Sequence, residues 1–219
     1  MISSKMRWIA ILSLILLLGC ANSEPAADSP PAKPNAEPSA TSATASVEAP
    51  ADLWWQRIEG LCGKAFEGRM VSEDEVDADF AGQTMVMHVR RCDAERLEIP
   101  FHVGENRSRT WVLTRKGEAI HLQHDHRHED GTEDTVTLYG GVTADEGSAE
   151  AQSFPADAYS RELFEQNELS ASVDNTWTME IVPGERFSYI LRRPSRHFRA
   201  DFDLSQSVEV PPAPWGHEP

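Results

Sequence analysis

Basic residues are scarce in this chain: 20 Lys and Arg stand against 36 Asp and Glu, a formal net charge of −16 over 219 residues. So acidic a surface repels phosphate backbones and offers no basic footprint, which argues against nucleic acid as a partner. The signatures of the common enzyme classes are missing as well. There is no G-x-S-x-G, no H-E-x-x-H, no P-loop and no G-x-G-x-x-G, so no reaction is spelled out and an enzyme is not expected. Acidic clusters such as Glu73-Asp74-Glu75 and Glu129-Asp130 read as solvated surface and not as acid–base pairs. No cofactor motif stands out. Cysteine is limited to Cys20, Cys62 and Cys92, in no C-x-x-C or zinc spacing. Long apolar runs are also absent. The longest, residues 8–18, falls short of the ~20 residues that a spanning helix needs.

That run does have the flanks of an export signal. Lys5 and Arg7 precede it, and Gly19 and Cys20 follow. The ending Leu17-Leu18-Gly19-Cys20 resembles the lipobox of bacterial lipoproteins. The resemblance implies a signal peptide over residues 1–19, cleavage before Cys20, a diacylglycerol on the Cys20 sulfur and an acyl group such as palmitate on its new amine. Several acyl chains, each contributing roughly 0.8 kcal/mol per buried methylene, make a stable anchor. An ordinary signal peptide followed by a fortuitous cysteine is the alternative. Ala21 in the position after the cysteine implies, by the enterobacterial pattern, sorting to the outer membrane, facing the periplasm. Residues 22–50 are almost all Ala, Pro, Ser, Thr, Glu and Asp with no large apolar residue beyond Val47. They cannot bury enough surface to offset the entropy of ordering, so residues 20–50 are expected to be a lipidated cysteine and an extended tether.

For an exported chain the two remaining thiols, Cys62 and Cys92, are most simply a disulfide, with a two-thiol metal or redox site as the rival. The folded domain is expected over 51–205 and a Pro-rich tail over 206–219. Asp52 reads as the cap of a short helix, 53–61, whose Trp54, Ile58 and Leu61 share an apolar face; Asp157 caps a second helix, with Tyr159, Leu163 and Phe164 as its apolar face. Between and after them, short β-prone runs fall at 66–71, 84–91, 97–103, 107–115, 118–129, 132–139, 177–182, 186–192 and 196–204. The segment 74–83 reads as a loop, and Tyr139-Gly140-Gly141 as a turn. The expected class is all-β with two short helices: an antiparallel barrel, lipocalin-like in architecture, with a β-sandwich as the alternative. The series C-G-K-A-F-E-G from Cys62, I-P-F-H-V-G-E-N-R-S-R-T-W-V-L from Ile99, H-D-H-R-H-E-D-G from His124 and P-G-E-R-F-S-Y from Pro183 resembles an uncharacterised domain of exported bacterial proteins. That domain has no assigned activity, so the resemblance implies a boundary, about 61–204, and no mechanism.

Residues 107–139 hold most of the histidines and so the candidate chemistry. Two-residue turns at Lys116-Gly117 and Asp130-Gly131 predict three antiparallel strands. The first hairpin would pair Leu113 with Ile120, Trp111 with Leu122, Arg109 with His124 and Arg107 with His126. The second would pair His126 with Thr135 and Leu122 with Tyr139. One face then carries an apolar end and a polar end, the latter holding Arg107, Arg109, His124, His126, His128 and Glu133. Three readings compete for that polar end. His124, His126 and His128 form H-x-H-x-H, a metal pattern, but successive members lie about 7 Å apart along a strand. An anion pocket would set Arg107, Arg109, His124 and His126 over an apolar floor of Trp111 and Leu122. A solvated hairpin tip is the third. The chain therefore reads as a membrane-anchored envelope protein that binds a small amphipathic or anionic ligand, with an envelope protein–protein partner or a periplasmic metal as the alternatives.

Overall fold

A computed structural model describes residues 48–218. Cys20, the signal peptide and nearly all of the tether lie outside the described residues. Eleven strands form one antiparallel sheet: β1 (Ala65–Met70), β2 (Met85–His88), β3 (Arg91–Asp93), β4 (Arg96–Val103), β5 (Asn106–Lys116), β6 (Ala119–His126), β7 (Tyr139–Val142), β8 (Ala151–Pro155), β9 (Thr176–Val182), β10 (Arg186–Arg193) and β11 (Arg196–Asp203). Neighbours follow chain order from β8 through β11 to β1, β2 and β4, then on to β7, while β3 pairs only with β4. The result is a nearly closed up-and-down barrel of ten strands, as the alternation predicts. Along β9 and β11 every second side chain is buried, and the inward set (Trp177, Met179, Ile181; Phe198, Ala200, Phe202) fills the interior.

Closure depends on the seam between β7 and β8, which carries a single bridge, Gly141 to Ala156. The helix α2 (Ala158–Gln166) stitches it: Ser160 Oγ donates to the Gly140 carbonyl (2.9 Å) and accepts from Gly140 N–H (2.7 Å). Asp157 caps α2 by accepting from Ser160 N–H. Tyr159 does not join the apolar face as expected. It is exposed, and small Ser160 is buried in the close approach of helix to strand. The expected turn at Tyr139-Gly140-Gly141 is instead β7, where a Cβ on Gly140 would stand 1.8 Å from the Leu122 carbonyl oxygen and one on Gly141 1.9 Å from that of Pro155.

The helix α1 (Pro50–Glu59) plugs one end of the barrel. Pro50 begins it and Ala49 occupies the cap position, so Asp52 is not the cap. Asp52 sits in the first turn, where it suits the helix dipole and pairs with Arg115 of β5. Trp54, Trp55 and Ile58 are buried, and Trp54 Nε1 donates to the Met179 carbonyl at 3.2 Å. A Cys62–Cys92 disulfide, with Cα atoms 6.2 Å apart, ties the end of this plug to β3.

Three further expectations are corrected. The loop 74–83 contains a 3-10 turn, Glu75–Phe80, in which Asp77 is fully buried against Arg196. The strand expected at 132–139 is irregular as far as β7, held to β6 by the bridge of Arg127 with Glu133 and by the N–H groups of Asp134 and Leu138, which donate to the His126 and His124 carbonyls. The Pro-rich end does not stand apart: Val208 N–H donates to the Ala65 carbonyl, Trp215 N–H to that of Arg107, and His217 Nε2 lies 3.4 Å from Asp125. It crosses the outer face of the barrel as a strap.

Candidate functional site

The end of the barrel opposite α1 holds a cavity of about 190 Å³. β5 shows the separation: Arg115, near one end of the strand, pairs with α1, while Arg109, six residues away and about 20 Å distant at strand rise, lines the cavity. Eight of the lining side chains are aromatic. Trp111 forms the floor, stacked on Phe101 at 4.8 Å and on Tyr189 at 4.6 Å between ring centroids. Beneath it the interior is occupied by Phe187 and Phe202, packed on Trp111, and by Trp54, all wholly buried. Tyr139, Trp177 and Phe164 form one wall, and Phe80 and Phe198 another.

Two imidazoles reach this space. His124 is 3% exposed, and burial holds its pKa down to about 3, so the ring is neutral. Its Nδ1 lies 3.0 Å from the Tyr139 carbonyl and its Nε2 2.7 Å from the Tyr189 hydroxyl. A carbonyl accepts only, so Nδ1 carries the proton and Nε2 accepts from Tyr189 O–H. His126 is lowered to about 4 by burial and then by the Arg109 charge; its Nε2 lies 3.1 Å from the Tyr139 hydroxyl. Burial raises the Tyr139 phenol to about 12 and the Tyr189 phenol well above its ordinary value, so both remain protonated. The histidines and tyrosines are therefore uncharged fixtures at neutral pH.

The charge comes from arginine. Arg196 is neutralised by buried Asp77, to which its Nε donates at 3.2 Å. Arg109 has no carboxylate partner among the described residues. Its Nη1 donates to Asn106 Oδ1 (3.2 Å) and Ser108 Oγ (3.3 Å), and the guanidinium carbon lies 5.5 Å from the Phe80 ring centre. Its Nε and Nη2 make no hydrogen bond among the described residues. Burial lowers its pKa, as expected for a cation set among rings.

Of the residues expected to bind a ligand, Arg109, Trp111, His124 and His126 line the cavity; Arg107 and Leu122 do not. The β5–β6 turn is Gly117-Glu118, so Arg109 pairs with His126, Trp111 with His124 and Leu113 with Leu122. That shift of two residues leaves every side chain on its expected face but lowers Leu122 beneath the floor. A register irregularity between Phe101 and Val103 accompanies the outward turn of Arg107, whose Nη1 donates to the Ala213 carbonyl at 3.0 Å. The metal set does not converge. His128 is exposed in the segment after β6, and among the described residues no group of three or more His, Cys, Asp or Glu has metal-holding geometry. Glu133 pairs with Arg127 outside the cavity. His88 and His102 are buried away from the cavity.

Tyr189, Trp177, Phe198, Phe80 and Arg196 were not singled out from the sequence. Alternation places the first three on an inward face, but only the closed ring of β9, β10 and β11 sets them level with Arg109. No protein-family model, curated protein or solved structure matches this chain.

Proposed function

We propose that this protein is a lipid-anchored component of the bacterial cell envelope whose barrel binds a small amphipathic anion at its open end. The observation that carries the reading is Arg109. A half-buried guanidinium with no carboxylate partner among the described residues is costly to hold among rings unless an anion completes it, and its Nε and Nη2 donors remain to do so. The aromatic floor takes the apolar part of the ligand, and the neutral His126 and Tyr139 offer further hydrogen bonds. Arg107 and Leu122 contribute from outside the cavity, through the strap and the packing under the floor.

The chain enters the barrel at α1, the plugged end, so the proposed binding end lies away from the point where the tether joins. Acylation at Cys20 would tether the module to the membrane, with outer-membrane placement following from Ala21. Catalysis plays no part in this reading. Native mass spectrometry of the full-length protein, purified in detergent from its own envelope, tests it. A co-purifying small anion that is lost in Arg109→Gln is expected, together with the mass of an acylated Cys20. An adduct pattern indifferent to Arg109, on a folded variant, would overturn the binding site.

A further inference from the structure

We infer that the ligand is a compact aromatic monocarboxylate, about the size of a benzoate, held with its carboxylate on Arg109 and its ring against Trp111 and Tyr139. The inference rests on the anion-binding reading above and narrows its chemical class by size, charge and shape.

Size follows from the volume. An apolar cavity of about 150 Å³ is large enough for benzene, and this one is about 190 Å³. A ring plus one carboxylate fits, with little to spare. A fatty acyl chain does not, because the barrel below Trp111 is filled by Phe187, Phe202 and Trp54. An alkyl tail would have to leave through the open end and would gain no burial there.

Charge follows from the arginines. Arg109 supplies one uncompensated positive charge, and Arg196 is already held by Asp77. A second carboxylate on the ligand would find no further arginine among the lining residues without a carboxylate partner and would be desolvated against neutral imidazoles and phenols. The site thus selects a single negative charge.

Shape follows from the walls. The lining is built of packed rings, Trp111 on Tyr189 at 4.6 Å and Tyr139 on Trp177 at 5.7 Å between centroids. Surfaces of this kind favour a flat ring, through offset or edge contacts, over a puckered one of equal area. The free N–H pair of Arg109 matches the two oxygens of a planar carboxylate in a fork geometry that a lysine could not supply.

Isothermal titration of the full-length protein in detergent with benzoate, cyclohexanecarboxylate, octanoate and terephthalate tests the class. Benzoate is expected to bind tightest, by about three- to tenfold over cyclohexanecarboxylate, the range that ring–ring contacts supply. Arg109→Gln is expected to weaken benzoate by about ten- to a hundredfold, the loss of a charge-assisted contact. If that variant does not fold, Arg109→Lys carries the test: it keeps the charge, loses the fork, and should weaken benzoate several-fold. Should cyclohexanecarboxylate or octanoate match or exceed benzoate, with the Arg109 dependence intact, the aromatic class is wrong; should terephthalate do so, the selection of a single charge is wrong; in either case the anion site stands. Should none of the four bind, or should binding ignore Arg109, the site itself falls.

Discussion

At the scale of single residues, the cavity is defined by groups that burial holds in one protonation state. In the cavity His124 is lowered to about 3 and His126 to about 4, and elsewhere in the barrel His102 is likewise lowered to about 4, each chiefly by burial, against an ordinary value of 6.5. The sign follows from linkage. Below pH 6.5 the unfolded chain takes up protons that the folded chain refuses, so stability is full above that value and falls as pH drops toward 4. Each imidazole removes about 1.4 kcal/mol per pH unit at full slope. Urea midpoints measured between pH 7 and 5, where most carboxylates are still ionised, are expected to fall steeply. A flat profile over that window would mean these rings are solvated. Gly140 is the other decisive residue. Its missing Cβ lets β7 lie against the Leu122 carbonyl, and Gly140→Ala is expected to lose about 3 kcal/mol or more by overpacking. Chemical denaturation of that variant measures the loss, and wild-type stability would contradict the close approach.

At the scale of elements, the disulfide joins the α1 plug to the wall. With its cysteines separated by 30 positions in the chain, reduction is expected to cost about 2–4 kcal/mol and to lower the melting temperature. An unchanged melting curve in reductant would show that the plug stays seated without it. Element type was legible from sequence where alternation is strong, as in β9 and β11, and at α2, where Asp157 is a cap with a mechanism. It failed where local signals conflict with long-range pairing. Thr132 to Leu138 carries β-formers, yet the chain there spans from β6 to β7 with Leu138 at φ 57°, and no ladder forms. The short strand β8 hides behind Pro155 and small residues, and is recruited by β9. The strap of the C-terminal end was read as a tail because proline lacks a ladder donor. What holds it are single contacts to Ala65, Arg107 and Asp125, which no periodicity reports. The polar end of the hairpin was legible as a cluster. Its register was not, because the turn begins one residue later than Lys116-Gly117 suggests, and that moves Leu122 out and Tyr189 in as partner of His124.

At the scale of the whole molecule, one end of the barrel is plugged and stapled, and the other is ringed with aromatics around Arg109, which has no carboxylate partner among the described residues. Acidic overall charge and one cationic cavity are compatible, since the field at the site is set by Arg109 within a few ångströms and the remote carboxylates are screened by salt. The lipoprotein reading is testable apart from the cavity. Metabolic labelling with palmitate is expected to mark the wild-type chain and leave Cys20→Ala unmarked; label retained by the variant would place the acyl group elsewhere. The central claim, that Arg109 anchors an anion above the Trp111 floor, is reached most directly by crystallography with benzoate. The ring is expected among the aromatic side chains of the cavity and the carboxylate on the Arg109 guanidinium. Benzoate bound only on the outer surface, or an empty cavity at saturating ligand, would contradict it.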